Sequence, residues 1–366
     1  MTHQHQKWLR ELTSLPTAAG SEELVIEWVE AWVRRRRDLA IQRDRFGNLL
    51  VHRRTVRSTT PTILTAHVDH PAFVVNRLVD DQCIEAEFRG GVEDGYFLAG
   101  PPRVTLHHRD GTTTGRVEAF RPARGEGFKA VRIELNRPSP AAMGDVVCWD
   151  LRCPAVVDGR LLAPACDDLA GVAAVLSALD AVRRRRLKTK VDLRVLLTRA
   201  EEIGFLGATG ACSSGLIPKR ARLINVECSK SFAHSPIDGG PIIRVGDRTS
   251  SFDPELTYRL GEIAAAMAVR NEDFLYQRHL MPGGTCEASV FMSYGYATAA
   301  LCLPLGNYHN MNEQSRQIDS EIISLGDYGI LVDLLVEAAV RLGQKPKSTL
   351  KSRFDRLFAH RRHILD

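Results

Sequence analysis

The sequence predicts an α/β protein in which a sheet is flanked by helices and a small β module is inserted into the chain. Helix and strand patterns alternate near the beginning and again from Asp167 onward, as expected for a sheet with helices packed on it. Between them, residues 71–160 show short alternating stretches separated by Gly and Pro, with no long helical period. That sequence pattern is typical of a small β-barrel or β-sandwich.

The elements outside the module follow from the spacing of apolar residues. A helical pattern covers 5–37 and is interrupted from Pro16 to Gly20, with apolar residues at steps of three and four. Short β-branched segments at 48–52 and 61–66 predict buried strands. In the second part we expect helices at 168–185, 254–270 and 319–342, and strands at 191–198, 222–227 and 298–303.

These patterns divide the chain into four parts. Residues 1–70 and 161–343 would form one α/β domain, with an inserted β domain at 71–160. Residues 344–366 form a basic, weakly amphipathic tail. The sequence does not decide whether this tail packs on its own domain or on a neighbouring chain.

Composition and charge exclude several classes of protein. The 366 residues carry 49 Lys and Arg against 44 Asp and Glu, too small an excess to indicate nucleic-acid binding without clustering. The Arg runs at 34–37 and 183–186 close predicted helices, where positive charge suits the helix end. No apolar run approaches the ~20 residues of a membrane span. Eight isolated cysteines without a C-x-x-C pair fit a reducing interior, so we expect a cytoplasmic protein without nucleic-acid or membrane partners.

Acidic and His side chains recur where predicted strands end or helices begin. Open α/β sheets place their sites at the carboxyl ends of strands, so these side chains are candidates for one site. His67 and Asp69 follow a strand and point the same way if its geometry continues, because strand side chains repeat every two residues. The other candidates are Asp167 and Asp168, Glu201 and Glu202, Glu227, and His309.

Most of these residues have a simpler interpretation when taken singly. The pair Asp167-Asp168 suits a helix N-cap, and Glu227 or His309 alone would be an ordinary surface residue. Adjacent Glu201 and Glu202 would repel each other unless one binds a cation or carries a proton. Together, five such places in the order His, Asp, Glu, Glu, His are hard to reach by chance. Imidazoles combined with carboxylates suit zinc, cobalt or manganese.

The motifs resemble those of the tetrahedral and glutamyl aminopeptidase family of co-catalytic metallo-aminopeptidases, and more distantly the wider clan of dizinc exopeptidases and amide-bond deacylases. The resemblance covers nearly the whole chain. The matching segments are Ala66-His67-Val68-Asp69, Asp167-Asp168, Glu201-Glu202-Ile203-Gly204, Glu227, Gly283-Gly284-Thr285 and His309. The resemblance implies a three-layer sheet flanked by helices, of the dizinc exopeptidase type, with an inserted small β-barrel.

The resemblance also implies an activity and a role for each residue. The expected activity is removal of N-terminal residues from peptides by a homo-oligomer that holds two divalent ions per chain, with zinc favoured over cobalt or manganese. Asp167 would bridge the ions, Glu201 would be the general base, and Asp69 would orient His67. The metal ligands would be His67, Asp167, Glu202, Glu227 and His309.

Three positions depart from the family pattern. Glu227 stands where Asp is usual, Leu169 stands where Arg usually follows the Asp pair, and Cys286 follows the Gly-Gly-Thr segment in place of Asp. Glu287, one residue further on, would then supply the acidic group that supports the site.

Two alternatives to an aminopeptidase stay open. The first is an N-acyl amino acid deacylase or carboxypeptidase-like amidohydrolase that uses the same metals and grips a substrate carboxylate. Arg244, Arg248 or Arg278 would supply that grip, although an exposed structural role is the simpler interpretation of each. The second is a non-catalytic relative, which the altered positions 227 and 286 suggest, because fold does not guarantee function.

Overall fold

The computed structural model describes residues 2–365 except 57, 59, 99, 101, 186–190 and 345–348. Its helices are α1 (His3–Leu12), α2 (Glu23–Arg34), α3 (Gly95–Leu98), α4 (Leu169–Arg184), α5 (Leu206–Ser214), α6 (Pro254–Ala268), α7 (Glu287–Ser293), α8 (Leu325–Leu342) and α9 (Leu350–Arg361). Its strands are β1 (Leu39–Arg43), β2 (Leu49–Arg53), β3 (Thr62–His67), β4 (Ala72–Leu78), β5 (Cys83–Arg89), β6 (Arg103–His108), β7 (Gly111–Arg121), β8 (Lys129–Leu135), β9 (Val146–Trp149), β10 (Ala155–Val157), β11 (Arg160–Ala163), β12 (Leu193–Thr198), β13 (Arg222–Lys230), β14 (Ile242–Gly246), β15 (Gln277–Leu280), β16 (Ala297–Leu305), β17 (Met311–Asn312), β18 (Gln317–Ile318) and β19 (Glu321–Ser324).

An eight-stranded sheet in the order β1-β2-β12-β3-β13-β16-β14-β15 lies at the centre of the molecule. Its four middle strands, β12, β3, β13 and β16, run parallel. Neighbouring residues of one strand face opposite sides of the sheet. Leu49 and Val51 pack in the core with α1, α4, α6 and α8, whereas Leu50 packs with α5 and α7. Helices therefore cover both faces, and the predicted three-layer α/β architecture is confirmed.

The inserted module is a closed antiparallel barrel in the order β4-β5-β8-β7-β6-β9. Aromatic rings fill it: Phe73 lies 4.9 Å from Phe88 and 4.7 Å from Trp149, centroid to centroid, in edge-to-face contact. Such contacts add to the stabilisation from burial. The predicted β-barrel is thus confirmed. The domain limits at 71 and 160 stay predictions, since the barrel strands run from Ala72 to Trp149.

The helix predicted at 319–342 was placed too early in the chain. Residues 321–324 form strand β19, which pairs antiparallel with β11. Helix α8 begins at Leu325 because the Ser324 hydroxyl accepts the N–H of Asp327 at 3.3 Å as an N-cap. The four residues before the helix are therefore free to pair in a sheet, and one of them matters to the site.

The tail forms α9, in which no residue is buried. The Leu350 N–H donates to Glu255 Oε2 of α6 at 3.0 Å, which ties the start of α9 to the α/β domain. Residues 345–348 and 366 of the predicted tail, and Arg186 of the second Arg run, lie outside the described residues. Among the described helices, none has the length and hydropathy to cross a bilayer.

Candidate metal centre

A series of buried polar side chains leads along two parallel strands to the centre. β3 and β13 pair with Thr65 opposite Asn225. The Thr65 hydroxyl donates to Asn225 Oδ1 at 2.6 Å, and Asn225 Nδ2 donates to Glu227 Oε1 at 2.8 Å. At the carboxyl ends, Glu227 Oε2 lies 3.7 Å from His67 Nε2. The strand register thus brings together two sequence candidates that are 160 residues apart.

Asp167 lies between the two candidate histidines. Its Oδ1 is 3.5 Å from His67 Nε2, and its Oδ2 is 3.6 Å from His309 Nε2. Glu202 Oε1 lies 3.3 Å from the same nitrogen of His309. Two clusters of possible ligand atoms contain a histidine, His67 with Glu201 and Glu227, and Asp167 with Glu202 and His309, and a third consists of Asp167, Asp168 and Cys228; the atoms of each lie within 4.8 Å of one another.

Both imidazoles are oriented through Nδ1. His309 Nδ1 donates to the Gly91 carbonyl oxygen at 2.6 Å, and His67 Nδ1 faces the Asp69 carbonyl oxygen at 3.2 Å and Asp69 Oδ1 at 3.4 Å. Since a carbonyl oxygen only accepts, the proton of each neutral ring belongs on Nδ1. Nε2 of each ring is therefore directed at Asp167, and in the neutral ring its lone pair would be available to a metal ion.

The loop after β12 carries Glu201 and Glu202. Asp69 holds this loop, because its Oδ1 and Oδ2 accept the N–H groups of Glu201 and Glu202, both at 3.0 Å. The preceding Ala200 has φ +51°, a left-handed conformation that is uncommon for a residue with a side chain. Its N–H donates to Glu22 Oε1 at 3.1 Å. The two adjacent carboxylates are thus directed into the centre by a fixed backbone.

The carboxylates of the centre are not paired with Lys or Arg among the described residues. In the described ranges, Asp167, Glu201, Glu202 and Glu227 form no ion pair with Lys or Arg. Asp167 Oδ1 and Glu202 Oε1 are buried and accept no hydrogen bond from the described residues, an arrangement that costs free energy unless another group is bound. A divalent ion with affinity for nitrogen and oxygen ligands fits this donor set.

The pKa values follow from the same crowding. Burial raises the pKa of Glu201 well above its usual range, and the Glu227 and Glu202 carboxylates raise it further against the opposing effect of His67. Burial lowers the pKa of His67 and His309, but the surrounding carboxylates outweigh it and hold both pKa values well above the usual range. A raised pKa is a property that general bases in active sites often have.

Two of the departures from the family pattern, Leu169 and Cys286, and the neighbouring Glu287 take defined positions. Leu169 is fully buried at the start of α4. The Cys286 N–H donates to Asp247 Oδ2 at 3.0 Å, and Cys286 precedes α7. Glu287 is fully buried, accepts a hydrogen bond from the Thr198 hydroxyl at 2.8 Å, and has its pKa raised to about 8 by burial. Glu287 thus lies beside the strand that leads to Glu201.

The interpretation of Arg244 as an exposed structural residue is wrong. Only 4% of Arg244 is exposed, and it lines the same pocket as His67, Glu227 and His309. Its Nη1 donates to Ser229 Oγ at 3.1 Å, and its Nε has no hydrogen-bond partner among the described residues. Arg248 and Arg278 are exposed. The position of Arg244 on β14, which pairs with β16, could not be read from periodicity.

Sequence reasoning missed several residues that hold the centre in place. The carboxylate of Glu321 accepts the N–H groups of Asp167 and His309, both at 2.9 Å. His70 Nδ1 lies 2.5 Å from the Asp167 carbonyl oxygen. Glu321 was hidden because it fell within the helix predicted at 319–342. His70, directly after Asp69, was the one residue that the motif itself could have indicated.

A helix-flanked sheet with carboxylates and histidines gathered at the ends of its parallel strands defines an α/β protein with a candidate metal centre. The sequence model of the M42 glutamyl aminopeptidase family matches residues 137–322, about half of the chain. The chain therefore belongs to this family of peptidases, which confirms the resemblance drawn from the motifs. The matched range contains Asp167, Glu201, Glu202, Glu227 and His309.

Solved structures share the fold at low identity. An aminopeptidase of Desulfurococcus kamchatkensis is 21% identical, with a TM-score of 0.74 over 94% of this chain and 98% of its own. The TET1 peptidase of Pyrococcus horikoshii is 20% identical, with a TM-score of 0.75 over 92% and 99%. A TET aminopeptidase of a marine-sediment Thaumarchaeota archaeon is 16% identical, with a TM-score of 0.77 over 96% and 99%.

Proposed function

We propose that the chain is an aminopeptidase that hydrolyses the first peptide bond of its substrates with two divalent metal ions. The observation that carries this proposal is the position of Asp167, which presents one carboxylate oxygen to the Nε2 of each histidine. A carboxylate in that position is suited to bridge two ions. His67 and Glu227 would complete one site, and Glu202 and His309 the other, with zinc favoured and cobalt or manganese as alternatives.

Two ions bound here would lower the pKa of a water molecule and polarise the scissile carbonyl group. Glu201 would remove the proton from the attacking water and deliver it to the amine that leaves. The backbone that Asp69 holds in place supports this role, since a general base must lie within reach of the proton that it removes. Asp69 would hold the His67 ring and the loop that carries Glu201 in fixed positions relative to each other.

Arg244 supports a preference for acidic N-terminal residues. The buried guanidinium lines the pocket together with Glu227, and its Nε has no hydrogen-bond partner among the described residues, so a ligand carboxylate that accepted this N–H would be stabilised there. A Glu or Asp side chain would supply that pair, while the free α-amine would be held by the carboxylates of the centre. Peptides with acidic first residues are therefore the proposed substrates.

The same Arg244 also favours the second candidate, an N-acyl amino acid deacylase. A free α-carboxylate would then be the group that the guanidinium binds. Assays of Glu-, Asp- and Leu-anilides beside N-acetyl-glutamate and N-acetyl-leucine, with Zn²⁺, Co²⁺ or Mn²⁺ added, would separate the two. Cleavage of free-amine substrates alone supports the aminopeptidase, and cleavage of N-acyl substrates alone contradicts it. A protein that binds none of the added metals and cleaves none of the substrates would favour the non-catalytic relative.

A homo-oligomer is proposed as well. The TET1 peptidase of Pyrococcus horikoshii can assemble into a tetrahedron or a large octahedral shell, and the present chain shares its fold. Sedimentation of the purified protein tests this proposal. The expected location in the cytoplasm stays a prediction from the isolated cysteines, all eight of which are free thiols.

A further inference from the structure

Glu321 is a fully buried carboxylate on β19, opposite Ala163 of β11. Its Oε2 accepts the N–H groups of Cys166 at 2.6 Å and Asp167 at 2.9 Å, and its Oε1 accepts the N–H of His309 at 2.9 Å. Three main-chain donors from two distant loops therefore converge on one side chain. Hydrogen bonds from N–H groups to a carboxylate are among the stronger ones in proteins.

The loop that carries His309 depends on such support. His309 has φ +55°, and its neighbours Asn307 and Asn310 have φ +52° and +64°. Residues with side chains keep the left-handed conformation only where their surroundings hold it. Glu321 holds the N–H of His309, while the Gly91 carbonyl oxygen holds the ring. Backbone and ring of this proposed ligand are thus fixed from two directions.

Asp167 is likewise held on both sides of its backbone. Glu321 accepts its N–H, and His70 Nδ1 contacts its carbonyl oxygen at 2.5 Å. His70 Nε2 reaches Asn310 Oδ1 at 3.0 Å, so the second contact also ends in the His309 loop. The distance of 3.6 Å between Asp167 Oδ2 and His309 Nε2 is therefore set by these two side chains.

The other cluster depends on different groups. His67 is oriented by Asp69, and Glu227 accepts a hydrogen bond from Asn225. Glu321 contacts neither of them in the hydrogen bonds of the described residues. Because Asp167 would be shared by both ions, a change at Glu321 would disturb two ligands of the ion held by Glu202 and His309, but only the shared Asp167 of the ion held by His67 and Glu227. The first ion should therefore be affected more than the second.

We propose that Glu321 is a positioning residue that builds one of the two metal sites, the site of Asp167, Glu202 and His309, by holding the backbones of Asp167 and His309. This inference rests on the metal centre of the proposed function. Glu321 is not among the residues that line the pocket of His67, Asp167 and His309, so it would not contact substrate. It acts through the two ligands that it spaces.

The test is metal binding by Glu321→Gln. Glutamine has the same shape, but its amide nitrogen cannot accept an N–H, so at least one of the three hydrogen bonds is lost. Metal-free protein would be titrated with Co²⁺ and with Zn²⁺, and the dissociation constant of each ion would be measured by calorimetry. We expect one of the two ions to bind about 10–100-fold more weakly and the other, which shares only Asp167, to lose clearly less affinity.

Asp327→Asn is the matched control. Asp327 is 2% exposed and accepts the N–H groups of Asp238 and Gly240, both at 2.8 Å, outside the metal centre. This variant loses a comparable hydrogen bond and should bind both ions as the wild type does. Thermal unfolding of the two metal-free variants would show that the losses of stability are similar.

The outcomes separate the two proposals. A wild type that binds no metal overturns the proposed function, whatever Glu321 does. A wild type with two ions and a Glu321→Gln variant that keeps both affinities overturns the positioning role, as does equal weakening of both ions or the same loss in Asp327→Asn. If Glu321→Gln does not fold, Glu321→Asp, which keeps the charge, should show the selective loss. If neither variant folds, Glu321 is needed for folding as a whole, and this outcome also overturns the positioning role.

Discussion

The carboxylate of Asp69 accepts the backbone N–H of Glu201, with 3.0 Å between Oδ1 and the nitrogen. The same Oδ1 lies 3.4 Å from His67 Nδ1. A side chain at the end of β3 therefore joins a proposed metal ligand to the proposed general base. The family resemblance gave Asp69 the orientation of His67, and the structure adds the loop that follows β12.

Replacement of Asp69 by Asn should weaken both contacts at once. The amide nitrogen of Asn cannot accept an N–H, so one of the Glu201 and Glu202 N–H groups loses its acceptor, a loss that costs about 1–3 kcal/mol in a buried place. We expect kcat/KM to fall about 10–100-fold. Steady-state assays at saturating and at limiting metal would measure it, and unchanged kcat/KM in both would contradict the role of Asp69.

Glu201→Gln should separate catalysis from metal binding. Glutamine keeps the shape of the side chain but cannot take a proton, so kcat should fall by about 10²–10⁴-fold. The two ions should remain, as measured by elemental analysis of the purified variant. Glu202→Gln is the counterpart, for which loss of one ion is expected. Full activity of Glu201→Gln would remove it as the base.

Gly171, in the first turn of α4, is required by its neighbour Asp168. A Cβ at Gly171 would lie 2.1 Å from Asp168 Oδ1 and 2.4 Å from Oδ2, so Gly171→Ala should displace the buried Asp168 and destabilise the protein by about 1–3 kcal/mol. Gly261→Ala in α6 is the control, since no atom lies within 4 Å of its Cβ. That variant should gain about 0.5–1 kcal/mol in denaturant unfolding, because Ala favours helices. Equal effects would contradict the steric argument.

Arg244→Met should change substrate preference more than turnover. The pair between a buried guanidinium and a substrate carboxylate is worth about 1.5–3 kcal/mol, so kcat/KM for Glu-anilide should fall about 10–150-fold while Leu-anilide changes little. Arg220→Met, at an exposed position, is the control. An equal fall for both substrates would mean that Arg244 supports the pocket structurally and does not select the substrate.

Removal of metal should lower thermal stability. Without an ion, the carboxylates of the centre repel each other and two buried oxygens lack partners. Dialysis against a chelator should lower Tm, and Zn²⁺ added at about 100 times Kd per site should restore about 2.7 kcal/mol. Calorimetric scans at several Zn²⁺ concentrations would show this. A Tm that does not depend on Zn²⁺ would contradict binding of zinc to the folded protein.

The sequence was informative where residues follow regular elements. The layers and barrel could be predicted because apolar residues alternate with clear periods. His67 and Glu227 could be suggested together because strands of one sheet end at one edge. The structure places them 3.7 Å apart, although their roles as ligands stay proposals.

The residues that sequence analysis missed are those whose contacts depend on tertiary structure alone. Glu321 approaches Asp167 because β19 pairs with β11, and no local sequence pattern predicts this pairing. Arg244 is buried because β14 lies inside the sheet edge formed by β15. Arg244 was expected to be exposed and Glu321 fell within a predicted helix, and only the packing of distant strands gives each of them a partner or a pocket.

The contact between Gly91 and His309 ties the barrel to the α/β domain. Gly91 follows β5 of the barrel, and its carbonyl oxygen fixes the ring of a proposed metal ligand more than 200 residues later. Replacement of this barrel by that of a relative would therefore preserve metal binding only if the loop after β5 kept its path. A chimera that shortened the loop would be expected to fold its barrel correctly and still lose metal, because the insertion supplies the carbonyl oxygen that orients His309.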